Sequence, residues 1–227
     1  MKAKKAAAEQ AVTYIKDGMT VGLGTGSTAY WAIHGIAALI KEQGLSLRAV
    51  ASSQSSEALA RELGIPIAPF HEVDVIDITI DGADEVDDRL HLIKGGGGAL
   101  LREKILAGNS KRMIVIADES KRVETLGRFP LPVELVPFAE NWTLNAIARL
   151  GCEARIRLKD GQPFVTDNGN WIADCSFGAI PDPASLAVSL NRIPGVVENG
   201  LFAGIASSVV IGCEDGSVRE LHRSERQ

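Results

Sequence analysis

The sequence predicts an α/β fold, an open, doubly wound, Rossmann-like sheet joined to a smaller α+β domain. Three observations carry this expectation. Through the first half of the chain, short apolar runs alternate with segments of helical period, the pattern of a parallel sheet with crossover helices. Met113 to Ala117 is continuously apolar, as strands covered on both faces are. Glycine reaches 23 residues while aromatics are only 5 %, so aliphatic side chains must fill the core and glycine loops can approach a ligand closely.

Taken in order, helical spacing runs from about Lys4 to Lys16, followed by the apolar strand Thr20 to Leu23, a glycine loop and a helix from Ser27 to about Gln43. Leu47 to Ala51 reads as a strand, Ser55 to Leu63 as a helix stopped by Gly64, and Ile65 to Ala68 as a short strand. Val73 to Ile80 is a longer strand ending at Asp81; a return at His91 to Ile93, a helix from Ala99 to Ala107 and the Met113 strand follow. An eight-fold barrel fails on regularity, since no helix fits between Asp81 and His91 and the second half loses the βα rhythm. Phe129 to Glu134 is a proline-punctuated connector. Beyond it the pattern gives a helix (Trp142 to Leu150), strands near 153–158, 163–166 and 171–175, and a helix from Ala184 to Asn191. Ser208 to Ile211 then reads as a return to the main sheet. The domains expected are therefore 1–128 plus 203–227, Rossmann-like, with 129–202 inserted as the smaller unit.

Composition excludes several classes of function. With 24 Lys plus Arg against 29 Asp plus Glu the formal charge is −5, and no dense basic block exists to neutralise a nucleic-acid backbone. The longest uncharged stretch, Gly18 to Ile40, is broken by Gly22, Gly24, Gly26 and His34 and is better read as strand, loop and buried helix than as a membrane span. Met1 to Gln10 has no apolar signal core, so a soluble cytoplasmic protein is expected. Cys152, Cys175 and Cys213 are an odd, widely spaced set that implies neither a disulfide framework nor a zinc site, and the four histidines are scattered.

Four segments can carry chemistry. Val21 to Thr28 places glycines between a strand and a helix N-terminus, where backbone amides favour an anion. A dinucleotide fingerprint would need glycine at Ser27 and an acid near Ser52 and Ser53; a P-loop would need a lysine before the hydroxyl residue. A hydroxyl-rich cradle for the phosphate of a small molecule remains, formed by Thr25, Gly26, Ser27 and Thr28, with a simple capped turn as the bland alternative. The second segment, Asp81 to Asp88, begins at a strand's carboxyl end, where ligands bind in open α/β sheets. Asp81 and Asp84 are read as functional acids, and Asp87 and Asp88 as a solvated turn. In the third, Lys94 precedes four glycines, Gly95 to Gly98, whose amides can form an oxyanion nest. Glu103 follows near a helix start. A carboxylate beside amides and a lysine is equipment for proton abstraction next to a carbonyl. The fourth, Ala117 to Lys121, offers Lys121 just beyond a buried strand.

Together GTGST (24–28), DGADE (81–85), KGGGGALLREK (94–104) and ADESK (117–121) resemble the A-type ribose-5-phosphate isomerases in order and spacing. The similarity continues through GRFPLPVE (127–134), VTDNGN (165–170) and IPGVVENGLF (193–202), nearly the whole chain. The resemblance implies a cofactor-independent aldose–ketose isomerase that interconverts ribose 5-phosphate and ribulose 5-phosphate, with no metal and a homodimeric or homotetrameric assembly. It assigns Glu103 as the base, and Asp81 and Asp84, with Gly82 and Ala83 between them, to the sugar hydroxyls, ring opening and oxygen proton transfer. Lys94 with Gly95, Gly96 and Gly97 becomes the oxyanion loop, while Thr25 to Thr28, Lys121 and Lys4 hold the substrate. Two positions depart from the family pattern: Leu101 stands where threonine is common, and Gly204 to Ser207 replaces a longer turn containing arginine. Two rivals remain, a sugar-phosphate sensor using the same cradle and a transferase on a related fold with Glu103 as nucleophile. A sugar-phosphate sensor would need an output domain, and acyl or CoA transfer through Glu103 would need a large cofactor site.

Overall fold

The computed structural model describes residues 1–222. The chain divides into two compact units, one comprising Met1–Ala83, Arg102–Lys121 and the chain from Ile205 onward, the other Asp84–Leu101 and Arg122–Gly204. Residues 84–101 and 122–128, expected in the larger unit, thus group with the smaller one. The reason is strand pairing: Glu85–Val86 pairs antiparallel with Leu92–Ile93, which pairs in turn with Leu201–Phe202. The fully buried carboxylate of Glu85 ties this hairpin to the connector by accepting the N–H groups of Gly127 and Phe129, both at 2.7 Å.

The larger unit is built on a six-stranded sheet in the order Val218–His222, Ser208–Gly212, Met113–Asp118, Ile78–Gly82, Thr20–Leu23, Arg48–Ala51. Every neighbouring pair is parallel except the first. The order changes direction at Thr20–Leu23, whose neighbours are the next two strands in sequence, so a topological switch lies between it and Ile78–Gly82. Helices α1 (Lys2–Val12) and α2 (Ala29–Gln43) pack on one another, and α1 also packs on the Met113 and Ser208 strands. Alanines at 3, 7, 8 and 11 are all buried, and such small side chains let α1 lie close. Strand alternation explains the two faces: Ala49 and Ala51 join the core containing Val21, Ile80, Ile116 and Ile36, whereas Val50 packs with Ile76 and with Leu106 of α4 (Leu100–Gly108). Helix α3 spans Gln54–Glu62.

Several expected boundaries move. The Ile65 to Ala68 strand shrinks to a single bridge from Ile67 to Ala49, because Pro66 has no N–H for a ladder. Instead of one strand from Val73, a 3₁₀ turn at Phe70–Glu72 precedes the strand Ile78–Gly82. The antiparallel edge strand Val218–His222 was not expected, since its polar residues do not read as sheet. Tyr14, just after α1, fastens to it by donating to Glu220 at 2.5 Å, a bond that raises the phenol pKa and lowers that of the carboxyl.

The smaller unit holds a four-stranded antiparallel sheet, ordered Val196–Asn199, Leu131–Leu135, Trp171–Ser176, Glu153–Ile156, with helices α5 (Glu140–Ala148) and α6 (Pro183–Asn191). Leu131, Val133, Leu135, Ile147, Ala173 and Leu190 form its core. The proline connector is thus a central strand from Leu131, a correction to the reading from composition. A residue's N–H and C=O point to the same side of a strand, and the carbonyl of Pro132 accepts from Gly200, one residue past the end of the partner strand. The missing donor therefore falls where the ladder has already ended. Fully buried Glu134 collects Thr166, Asn168 and Asn170 on one carboxylate oxygen at 2.9–3.1 Å, which accounts for the VTDNGN turn as architecture.

The cysteines are free thiols. Among the described residues no helix is long and apolar enough to cross a membrane.

Candidate active site

In the larger unit, Asp81 is the penultimate residue of the strand Ile78–Gly82, beside the glycine loop that follows Thr20–Leu23. It is fully buried, and its Oδ1 accepts the N–H groups of Thr25 at 3.1 Å and Gly82 at 2.7 Å. Gly24 makes this possible. A Cβ there would lie 2.1 Å from Asp81 Oδ1 and 2.5 Å from its Cα. The Thr25 hydroxyl meets those of Ser52 and Ser53 at 2.8 Å and of Ser56 at 3.2 Å, and Ser56 donates to the Gly24 carbonyl at 2.7 Å. The Ser52 and Ser53 positions, which excluded a dinucleotide site, therefore buttress the loop.

Thr28 is the N-cap of α2 and makes no side-chain capping bond. Ser27 bonds instead to the ammonium of Lys4 at 2.9 Å. A lysine, a hydroxyl and the positive end of a fifteen-residue helix make a site suited to a phosphate dianion. Lys4, Gly26 and Ser27 line a cavity of about 760 Å³ whose other walls include Tyr30, Trp31, Ser55 and Ser56. Lys4 also faces a second cavity, of about 540 Å³, with Asp118, Glu119 and Ser120. Lys121 closes the adjoining 3₁₀ turn, half-buried, and does not line that cavity. Glu103 lies in the first turn of α4 and is only 4 % exposed. A carboxylate that deeply buried is costly unless the fold uses it.

In the smaller unit, Asp84 donates its N–H to the Ile93 carbonyl at 2.8 Å, and its Oδ2 accepts from Gly96 N–H at 2.7 Å. Lys94 is 2 % exposed, with its ammonium 5.5 Å from the centre of the Phe202 ring. The glycine run turns on a bond from Gly98 N–H to the Gly95 carbonyl at 2.9 Å. Gly95 and Gly98 have φ of +103° and +79°, and a Cβ on Gly96 would sit 2.6 Å from Asp84, so ordinary side chains are excluded on conformation at two positions and on space at the third. Gly96 and Gly97 are exposed.

The structure thus joins Lys4 to Ser27, Asp81 to Thr25 and Gly82, and Asp84 to Gly96. Ala83 and Asp84 flank one crossing of the chain between the units, and Leu101 and Arg102 flank another, so the segments 81–85 and 94–104 each straddle a crossing. The expected solvated turn at Asp87 is corrected: its Oδ1 accepts from Arg89 and His91 N–H at 2.9 and 2.7 Å and it is 8 % exposed, while Asp88 is exposed and pairs with Arg122. Sequence reasoning missed Arg157. Its guanidinium is held by Asp174, with Nε to Oδ2 at 2.9 Å and Nη2 to Oδ1 at 2.5 Å, and Nη1 reaches the carbonyls of Gly95 and Gly96 at 2.9 and 3.1 Å. No local pattern marks it, because the glycine carbonyls it reaches lie more than sixty residues away.

The chain is similar to known proteins in both sequence and fold. A family profile described as ribose 5-phosphate isomerase A (phosphoriboisomerase A) matches residues 48–216. The chain is 51 % identical over 217 residues to ribose-5-phosphate isomerase A of Bacillus mycoides, covering 95 % of this chain and 98 % of that one. It resembles the structure of ribose 5-phosphate isomerase A from Methanocaldococcus jannaschii, with a TM-score of 0.92 and 43 % identity over 96 % of this chain and 97 % of that one. A D-ribose-5-phosphate isomerase solved in complex with phospho-erythronic acid matches with a TM-score of 0.93 and 42 % identity over 97 % of each chain.

Proposed function

The chain belongs to the ribose 5-phosphate isomerase A family and is an isomerase of that family, and from this premise we propose how its residues interconvert D-ribose 5-phosphate and D-ribulose 5-phosphate. Lys4, Ser27 and the α2 N-terminus bind the phosphate. Asp81, its carboxylate fixed by the Thr25 and Gly82 amides, and Asp84 grip the sugar hydroxyls, open the ring and pass the proton between the oxygens on C1 and C2. Glu103 takes the C2 proton of the open aldose to give an enediolate and returns it to C1, so no net charge or atom is gained. Lys94 and a glycine-loop amide stabilise the oxygen that carries the developing negative charge. Lys121 adds positive charge toward the substrate.

The observation that carries this reading is the pair of almost fully buried charges, Lys94 and Glu103, at the two ends of one glycine-linked segment. Burying a charge is costly, which makes these two residues candidates for chemistry. The reaction is followed as ribulose 5-phosphate formed from ribose 5-phosphate by purified protein, and absence of turnover refutes it. Phospho-erythronic acid, whose carboxylate stands in for the enediolate oxygens, is expected to inhibit competitively.

The phosphate assignment has its own test. Lys4→Ala is expected to raise KM for ribose 5-phosphate about tenfold with kcat within about twofold, because the contact is made equally in ground and transition states. An unchanged KM would remove Lys4 from the site. The reading further includes a cytoplasmic enzyme of the pentose phosphate pathway, acting as a homodimer or homotetramer. In the smaller unit Phe138 and Trp142 are 86 % and 72 % exposed beside a groove shared with Ile193 and Pro194, an apolar face suited to self-association. Light scattering is expected to give a dimer or tetramer mass that Trp142→Arg reduces; a monomeric wild type refutes the assembly.

A further inference from the structure

Arg157 lies far from the recognisable motifs, yet its contacts bear on the glycine loop in a directional way. A trans peptide holds its C=O and the following N–H antiparallel. When Arg157 Nη1 takes the Gly95 carbonyl at 2.9 Å, the N–H of Gly96 must point away from the guanidinium, and that N–H does meet Asp84 Oδ2 at 2.7 Å. The Gly96 carbonyl at 3.1 Å fixes the next peptide in the same sense, so the Gly97 N–H also points away from Arg157. Among the described residues this amide has no hydrogen-bond acceptor within the protein. Of the two amides aimed by Arg157, one is therefore committed to Asp84 and the other is open to a ligand oxygen.

The arginine is itself held rigidly. Asp174 takes two of its nitrogens, the side chain is 15 % exposed, and its guanidinium lies 5.8 Å from the centre of the Phe164 ring. Phe164 in turn abuts Gly98, where a Cβ would fall 2.3 Å from the ring. Four glycines have no side chains to order them, and ordering them costs more conformational entropy than any other residue type. A half-buried, charge-assisted fork supplies the missing constraint. Its positive charge on the carbonyl side also polarises both peptides and strengthens their N–H groups as donors.

We infer that Arg157, locked by Asp174, is a positioning residue for the isomerisation: it aims the Gly97 N–H at the enediolate oxygen and the Gly96 N–H at Asp84. The inference rests on the isomerase reading above; within the expected Gly95 to Gly97 donor set it takes out Gly96, whose amide is held by Asp84, and makes Gly97 the donor that Arg157 aims.

The test compares Arg157→Met and Arg157→Lys with wild type under saturating ribose 5-phosphate, with active protein counted by inhibitor titration. Loss of one oxyanion donor costs on the order of 100-fold in kcat, and Arg157→Met is expected to lose about that much while KM moves less than about threefold. Arg157→Lys keeps the charge but cannot fork to Asp174 and both carbonyls, and is expected to lose about tenfold. If the methionine variant fails to fold, the lysine variant decides. A fall in kcat that exceeds any change in KM supports the inference. A kcat per folded molecule within about threefold of wild type, or a change confined to KM or thermal stability, overturns it and leaves the isomerase reading standing. An inactive wild type overturns both.

Discussion

Glu103→Gln is expected to lower kcat for ribose 5-phosphate by about 10⁴-fold, the upper range for removal of a general base, while KM stays within about threefold. Glutamine keeps the shape and the hydrogen-bonding reach of the side chain, so α4 and the loop before it are undisturbed, but it cannot accept the C2 proton. The loss therefore falls on the transition state alone. The assay is a single-turnover and steady-state comparison in the presence of EDTA, with solvent deuterium incorporation into the product as a second readout. Near-normal turnover by the variant would remove Glu103 as the base. Loss of wild-type activity in EDTA that Mg²⁺ restores would overturn the metal-free mechanism while leaving the proton transfer in place.

Gly24→Ala is expected to destabilise the protein by about 3 kcal/mol, the upper part of the range for overpacking, and to lower kcat/KM by about 100-fold through misplacement of a catalytic group. The added methyl would lie 2.1 Å from Asp81 Oδ1, 2.3 Å from its Cγ and 2.5 Å from its Cα. Because a backbone atom is among the obstacles, a rotamer change of Asp81 cannot relieve the clash. The loop must move away from the strand Ile78–Gly82, which breaks the Thr25 N–H bond to Asp81 and pulls Thr25 from its cluster of serine hydroxyls. Differential scanning calorimetry is expected to show a melting temperature lower by about 9 °C, scaled for a chain of this size. A variant that melts within about 2 °C of wild type and keeps its activity would show that this close approach is not required.

The two substitutions differ in what they teach about legibility. Glu103 and Gly24 both sit in short stretches whose composition announces a role: a carboxylate just after four glycines, and glycines between an apolar strand and a helix. The parallel sheet, the position of Asp81 at a strand end and the return of Ser208 to the Met113 strand are similarly local, since apolar runs and their punctuation are written in consecutive residues. What was misread also has a physical pattern. Pro132 lies in a central strand because its absent N–H falls past the end of a neighbour distant in sequence, and Asp87 is buried because the backbone of the following residues folds onto it.

The sequence by itself determined the alternation of strands and helices, the two glycine loops and the acids, lysines and hydroxyls that furnish their chemistry, because each depends on side-chain period and on backbone freedom within a few residues. Only the tertiary structure decided which unit claims the hairpin at 85–93, that Glu85 and Glu134 serve as buried anchors for distant turns, and that Arg157 grips the Gly95 and Gly96 carbonyls. Those contacts join groups separated by tens of residues, and hydrogen bonds of that kind are selected by burial, where an unpaired polar group is costly, and not by any preference of the local chain.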